Sequence, residues 1–443
     1  MTSSRQDATS RQSFSQLVAP LDRRSAVRLV LLFLGAVLAR GRRTVTSWIR
    51  AAKLSDQFRP CYATIAAAGR KADAIASRLW ATAVHGLVRD ADRLTLALDD
   101  TPTQRYGPHV QGAGIHHNPT PGPAGSPYVY GHVWVVLGLL ARHPTWGVIA
   151  LPLLARLYVR KKDLMGIPPK HRSAFRTKLE LAVELLEWAA RSLKPLGKPL
   201  WAVVDGAYAK APFLAPAKAL GFTVVSRLRK DAALGSVPGP RPPGQRGRPR
   251  IYGADRFDLA KRAGQRRGWS TGVFTLYGES IEKKYKTFLA TWRPAGGLIR
   301  VVLVKEEAGW VAFFCTDPNA TVAVILGAVA DRFSLEIAFR DCKEIVGAGQ
   351  QQVRHVWANV GSFHVCLWTF TLTEAWAWGR VHEDLVDRSG SPWDIATRRP
   401  SHADKRNAWR RELLREELCG ILRPGITQVE IDAAAERLLR LAA

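Results

Sequence analysis

The sequence predicts an α/β chain in which a mixed sheet flanked by helices follows an N-terminal helical domain and is interrupted by a β-rich insertion. Three observations predict it. Apolar runs of strand length cluster between Arg93 and Ser226 and return between Gly272 and Cys315. Apolar residues recur at helical spacing before Val88 and after Ala320. Between the two strand-rich stretches lies a segment crowded with Pro, Gly and Arg, which from Arg241 to Lys286 carries 12 basic against 4 acidic residues.

Taken in order, residues 1–20 are rich in Ser, Arg and Gln and predict a flexible N-terminus. Residues 21–90 predict short Ala- and Leu-rich helices, and residues 1–90 hold 15 basic against 5 acidic residues. Gly41-Arg42-Arg43 links two of these helices. A basic turn that opens a helix can set arginines on DNA, as helix-turn-helix modules do, so Arg42 and Arg43 are DNA-binding candidates. Residues 91–229 predict the first part of a catalytic domain. Leu94 to Leu98 alternates as a strand and runs into Asp99-Asp100-Thr101-Pro102. Tyr128 to Leu140 and Gly147 to Tyr158 are long strands separated by a turn, and Ser173 to Leu193 is helical. Leu200 to Val204 is a buried strand ending at Asp205, followed by a helix from Ala207 to Leu220 and a strand from Phe222 to Ser226. Three antiparallel strands and then helix, strand, helix, strand is the order of an RNase H-like sheet. Residues 230–318 form the basic β-rich insertion, expected to stand outside that sheet. Residues 319–385 complete the catalytic domain with a helix through Glu336 and Lys343. Residues 386–443 predict an amphipathic helical tail suited to packing on the body or to dimerisation.

Composition narrows the partner. The chain of 443 residues has 65 Lys plus Arg against 37 Asp plus Glu, a formal charge of +28. That excess goes beyond what solubility needs and points to a polyanion, above all nucleic acid. Cys61, Cys315, Cys342, Cys366 and Cys419 form no CxxC or CxxH pair, which argues against structural zinc and for reduced thiols in the cytoplasm. The apolar run Leu29 to Ala39 is about half a membrane span, so no membrane segment is expected. His109, His116 and His117 lie in a Gly- and Pro-rich stretch expected to be a solvated loop.

The chemistry rests on three acids. Asp100 and Asp205 each follow an apolar strand, and Glu336 lies on a helix whose Arg332, Arg340 and Lys343 share its stripe. Phosphodiester cleavage at neutral pH needs an activated water and charge neutralisation at the phosphate, which two Mg²⁺ ions about 4 Å apart can supply. Mg²⁺ takes a few carboxylates and needs neither His nor Cys.

These residues resemble the DDE transposases of bacterial insertion sequences, in the group whose RNase H-like domain carries a β-rich insertion. Ala97-Leu-Asp-Asp-Thr-Pro102 is similar to the first-acid motif of that group, where the acid immediately precedes Thr, and this selects Asp100 over Asp99. Ala202-Val-Val-Asp-Gly-Ala-Tyr208 is similar to the second motif. The third, Tyr, two residues, Arg, three residues, Glu, six residues, Lys, is matched by Arg332, Glu336 and Lys343, with Val329 where the Tyr belongs. The resemblance implies that Asp100, Asp205 and Glu336 hold two Mg²⁺ ions, with Mn²⁺ able to substitute. It implies that Arg332 and Lys343 hold phosphates and that an aromatic of the insertion, Trp310 ahead of Trp292, stacks on a flipped base. It implies cut-and-paste transposition on double-stranded DNA by a homodimer on paired terminal repeats, without a nucleotide cofactor. Arg246, Arg248 and Arg250 in Arg-Gly-Arg-Pro-Arg resemble an AT-hook core and are further DNA-binding candidates. The alternatives are an RNase H-like nuclease without strand transfer and a non-catalytic transposase-derived DNA-binding protein.

Overall fold

The structure, a computed structural model, describes residues 10–118, 125–241, 244, 246–421 and 425–442. It opens with helices α1 (Ser10–Leu17), α2 (Arg23–Leu38), α3 (Val45–Ala51), α4 (Phe58–Arg70) and α5 (Ala72–Leu79). Strands β1 (Leu94–Gln104), β2 (Gly114–His117), β3 (Tyr128–His143) and β4 (Gly147–Tyr158) follow. Then come α6 (Lys178–Leu193), β5 (Leu200–Val204), α7 (Ala211–Ala219) and β6 (Phe222–Leu228). The insertion contributes β7 (Leu234–Gly235), β8 (Arg256–Phe257), α8 (Leu259–Gly264), β9 (Ser270–Leu276), β10 (Glu279–Trp292), β11 (Gly297–Glu306) and β12 (Gly309–Cys315). The chain closes with α9 (Val322–Asp341), α10 (Val356–Ala377), α11 (His382–Leu385), α12 (His402–Ile421) and α13 (Gln428–Ala442).

The strands form one mixed sheet in the order β2-β3-β1-β5-β6-β12-β11-β10-β7-β8, with β4 on β3 and β9 on β10. β1, β5 and β6 run parallel at its centre, because helices α6 and α7 return the chain between them. Helices cover both faces, as expected for an RNase H-like domain. The insertion does not stand apart. β12 pairs antiparallel with β6, Leu228 opposite Ala312 and Val225 opposite Cys315, so the inserted strands continue the central sheet. Burial explains the extension. Val302 and Val304 of the insertion share a core with Trp201 and Val203 of β5, beneath Ile325 and Leu326 of α9.

Local signals set the helix starts. Thr177 caps α6 in a capping box with Glu180, and Thr321 caps α9 by accepting from Val324 N. Strand β4 leaves an edge, and α10 covers it. His364 Nε2 accepts from Ala155 N, Trp368 Nε1 donates to Leu153 O, and Thr371 Oγ1 donates to Pro152 O. These side chains satisfy backbone groups that an exposed edge would offer to another chain.

The N-terminal helices share the core of the sheet. Gly69 of α4 meets Gly361 of α10 at backbone contact, and a Cβ at Gly361 would lie 1.8 Å from Ile65 O. Arg406 of α12 donates to Ala36 O and Ala39 O, closing the C-terminal end of α2. Within the stretch expected to be flexible, Ser10–Leu17 are helical and Phe14 stacks on Phe33 at 5.2 Å; residues 1–9 lie outside the described residues. His116 departs from the solvated-loop expectation, since it is buried on β2. His109 and His117 are exposed. In the tail, α12 buries Trp409 against Trp376, whereas α13 leaves Val429 and Ile431 exposed. No helix among the described residues is long and apolar enough to cross a membrane.

Candidate functional site

β1 and β5 run side by side from Leu94 opposite Leu200 to Leu98 opposite Val204, so the next residues outward are Asp99 and Asp205. Side chains alternate along a strand, which gives each of these positions a defined face. Trp201 and Val203 of β5 pack with α9, whereas Ala202 and Val204 pack in the larger core with α6 and α7. Asp205 continues the first set. It lines a cavity of about 190 Å³ together with Val203, Arg227, Val329 and Arg332. Its Oδ2 also accepts from Ala207 N, fixing the turn that leaves the strand.

Asp99 and Glu336 meet through one guanidinium. Arg332 Nη1 lies 2.5 Å from Asp99 Oδ2, and Nη2 lies 2.9 Å from Glu336 Oε1. The second contact is the i,i+4 pairing a helix allows. Burial pushes the Asp99 carboxyl up to about 6; Arg332 opposes the rise, and the neighbouring charges of Asp100 and Asp205 add to it. Three acids and one arginine thus share the face covered by α9.

Asp100 turns to the opposite face. Its Oδ2 accepts from Lys178 Nζ at 2.6 Å, at the start of α6, and its Oδ1 accepts from Tyr208 Oη at 3.3 Å. Burial and Asp100 raise the Tyr208 hydroxyl pKa, keeping that hydroxyl protonated as a donor. The expectation grouped Asp100 with Asp205 and Glu336, yet it is Asp99 that reaches Arg332. Strand alternation is the reason. Leu94, Leu96 and Leu98 point to the core with α6 and α7, and Asp100 falls in phase with them. The alternation of Leu-Thr-Leu-Ala-Leu-Asp-Asp itself carries that phase.

Among the described residues, no three His, Cys, Asp or Glu side chains are already gathered into a metal-ion cage. The chemistry of Asp99, Asp205 and Glu336 nonetheless fits a hard divalent cation, since all are carboxylates. A positive group already lies between two of them, in the form of Arg332. The cysteines offer no competing site: Cys61, Cys315, Cys342 and Cys366 are buried, and all five are free thiols.

The remaining candidates scatter. Lys343 lies past the end of α9 in a π-turn, Cys342–Val346, which breaks the stripe drawn through Arg332 and Glu336. It is half-buried, burial lowers its pKa, and it makes no ion pair among the described residues. Arg340 instead pairs with Asp341 at 3.0 Å. Arg42 is exposed. Arg43 is half-buried: its backbone N donates to Gln350 Oε1, its backbone O accepts from Gln351 Nε2, and its side chain donates to Gly41 O. Arg246, Arg248 and Arg250 are exposed and belong to no helix or strand. Trp310 opens β12 partly exposed, with Lys230 Nζ 5.1 Å from its ring centroid. Trp292 is 7% exposed and packs edge-on against Phe314, so it has no face to offer a base. Sequence reasoning missed Arg227, Arg229 and Lys230. These cations line a cavity of about 370 Å³ that shares Arg227 with the Asp205 cavity; Asp231 lines it too and pairs with Arg229 at 2.7 Å.

A large mixed sheet flanked by helices, with two aspartates and a helix-borne glutamate on one face, has the architecture of an RNase H-like domain. The chain belongs to the DDE superfamily endonuclease family, which it matches over residues 16–292. The match carries Asp99, Asp100 and Asp205 and ends with β10, before Glu336. Membership makes the protein an endonuclease that acts on DNA, in a family that typically works with divalent metal ions. A comparison with curated proteins finds no match.

Proposed function

We propose that the protein is a transposase that cleaves DNA at the ends of a mobile element and joins the liberated 3′-OH to target DNA. The observation that carries the reading is the bridge from Asp99 through Arg332 to Glu336, on the face that Asp205 also occupies. In this reading Asp99, Asp205 and Glu336 hold Mg²⁺, or Mn²⁺ in its place. Such ions supply an activated oxygen nucleophile and neutralise the charge developing on the phosphate. Three carboxylates would be enough to hold two such ions.

The chain's own residues do the rest. Arg227, Arg229 and Lys230 draw the phosphate backbone along the cleft beside Asp205. Arg332, once released from Asp99 and Glu336, would grip a phosphate as a bidentate fork, and Lys343 would act as a point charge. Trp310 offers a ring at the edge of the cleft for a displaced base, while Arg42, Arg246, Arg248 and Arg250 hold flanking duplex. Asp100 acts through Tyr208, whose hydroxyl ties β1 to the turn that follows Asp205. Paired ends call for a homodimer on DNA, for which α13 supplies an exposed apolar edge.

The test uses purified protein, Mg²⁺ and a DNA fragment bearing the inverted repeats that flank the gene. Nicking at the repeat ends, with labelled 3′ ends joined to a supercoiled plasmid, is the expected result. Nicking without joining makes the protein a nuclease and removes the transposase reading. Equal nicking by Asp205→Ala removes the proposed site.

A further inference from the structure

Arg332 stands between two carboxylates that the proposed function gives to a cation. Its fork reaches Asp99 at 2.5 Å and Glu336 at 2.9 Å, using both terminal nitrogens. The arginine side chain is 18% exposed, so this is a held position and not a loose surface pair. A divalent ion seated on Asp99 and Glu336 would take the lone pairs that now accept from the guanidinium, and it would repel that guanidinium. The two cations therefore compete for one set of oxygens.

The geometry gives the displaced arginine somewhere to go. Arg332 also forms the wall of the 190 Å³ cavity, whose other charged linings are Asp205 and Arg227. Two arginines on one small cavity attract an anion, and a phosphate of the DNA backbone is the anion that the family's substrate brings.

We infer that Arg332 is an internal counter-cation of the acidic site, handed to a DNA phosphate when a divalent ion takes the carboxylates, so that DNA and ion each tighten the other's binding. The inference rests on reading Asp99, Asp205 and Glu336 as the cation site. By linkage the coupling is reciprocal, and neither ligand alone converts the site fully. The free protein then holds divalent ions weakly, and the cleaving form assembles on DNA.

Mn²⁺ binding to the full chain, followed by loss of the free-ion electron paramagnetic resonance signal, tests this without any turnover. Without DNA, Arg332→Gln is expected to bind Mn²⁺ about tenfold more tightly than wild type, a typical coupling between linked sites. A random-sequence duplex, corrected for the Mn²⁺ it binds by itself, should tighten Mn²⁺ binding to wild type and leave Arg332→Gln unchanged. Equal Mn²⁺ affinity of wild type and folded Arg332→Gln overturns the inference. Should Arg332→Gln fail to fold, Arg332→Lys carries the comparison in the same direction, because an ammonium lacks the fork that spans both acids. Asp99→Asn and Glu336→Gln separate the two levels. If neither weakens Mn²⁺ binding, the cation site itself is refuted; if both do while Arg332→Gln changes nothing, only the counter-cation role falls.

Discussion

Two carboxylates in this molecule, Glu374 buried between helices and Asp99 partly buried on the sheet, are held in opposite ways. Glu374 of α10 is 3% exposed in its side chain and accepts from His402 Nδ1 at 2.7 Å and from Lys405 Nζ at 2.5 Å. Burial pushes its pKa up, but Lys405 and His402 outweigh burial and hold it at about 2. Asp99 is 19% exposed and also touches a cation at 2.5 Å, yet it is pushed up to about 6. The difference is in the company each keeps. Glu374 has a lysine and a histidine to itself, whereas Asp99 accepts from Asp100 N, shares its one arginine with Glu336 and lies within reach of the charges of Asp100 and Asp205. A charge that cements a fold is fully partnered. A carboxylate whose pKa is raised by burial beside other acids is a candidate for a ligand-binding group.

The strongest way to break this comparison is to neutralise each acid and watch activity and stability separately. Asp99→Asn is expected to cut Mg²⁺-dependent DNA nicking on the order of a thousandfold, the loss of a few kcal/mol of transition-state stabilisation, while leaving the fold intact. Asp100→Asn should cost less, about ten- to a hundredfold, because it supports the site through Tyr208. If Asp100→Asn proves the more damaging of the two, the assignment of the faces is wrong.

Glu374→Gln should do the reverse. It strands Lys405 and His402 in a buried junction and is expected to cost about 3–5 kcal/mol in urea unfolding. Nicking by the folded fraction should stay within a few-fold of wild type. An unchanged unfolding midpoint would show that the α10–α12 junction does not depend on this charge.

The pH dependence sharpens the same contrast, because the two shifts have opposite sign. The Glu374 carboxyl is lowered from its usual 4.5 to about 2, so its stabilisation is present above about pH 4.5 and is lost as pH falls towards 2. The Asp99 carboxyl is raised from 3.8 to about 6, so its contribution is full below about pH 4 and is lost as pH rises through 6. Asp99→Asn should therefore gain stability on wild type above pH 6, by on the order of 2 kcal/mol in metal-free buffer. The gap between Glu374→Gln and wild type should instead narrow below pH 4. Chemical unfolding of the three proteins between pH 3 and 8 reads both trends, and parallel curves would contradict them.

Much of this was legible in the chain. The apolar run before Asp205 marked the end of β5, whereas β1 runs on past Asp99 and Asp100 to Gln104; the one-turn spacing of Arg332 and Glu336 predicted their contact. The faces of Asp99 and Asp100 were legible too, through strand phase, although the short motif pointed to Asp100. Pairing partners were not legible. Alternation shows that Ala312 lies on a strand, but not that it pairs with Leu228 and makes the insertion part of the central sheet. Nor was it legible that Gln350 and Gln351, about 300 residues away, hold the Arg43 backbone. Glu374 did leave a signal, as the lone acid within the apolar run of α10.

The comparison extends to cations and yields the smallest expected effect. Lys405 is 1% exposed, is paired with Glu374, and lies 4.4 Å from the Trp146 ring centroid. Lys343 is half-buried with its pKa lowered by burial, and it has no ion pair among the described residues. A desolvated ammonium without a paired protein anion is poised for a phosphate, since phosphate contact restores the solvation that burial removed. Lys343→Ala should therefore reduce the slope of log K for DNA binding against log salt by about one, with little change in stability. Lys405→Met should leave that slope unchanged and lower the unfolding midpoint instead. Arg248→Ala, on an exposed segment outside the helices and strands, should change the slope by less than Lys343→Ala does. Fluorescence anisotropy of a labelled duplex across a salt series distinguishes the three. A Lys343→Ala slope equal to wild type would place this lysine with the surface charges and leave Arg332 as the phosphate-gripping residue of the helix.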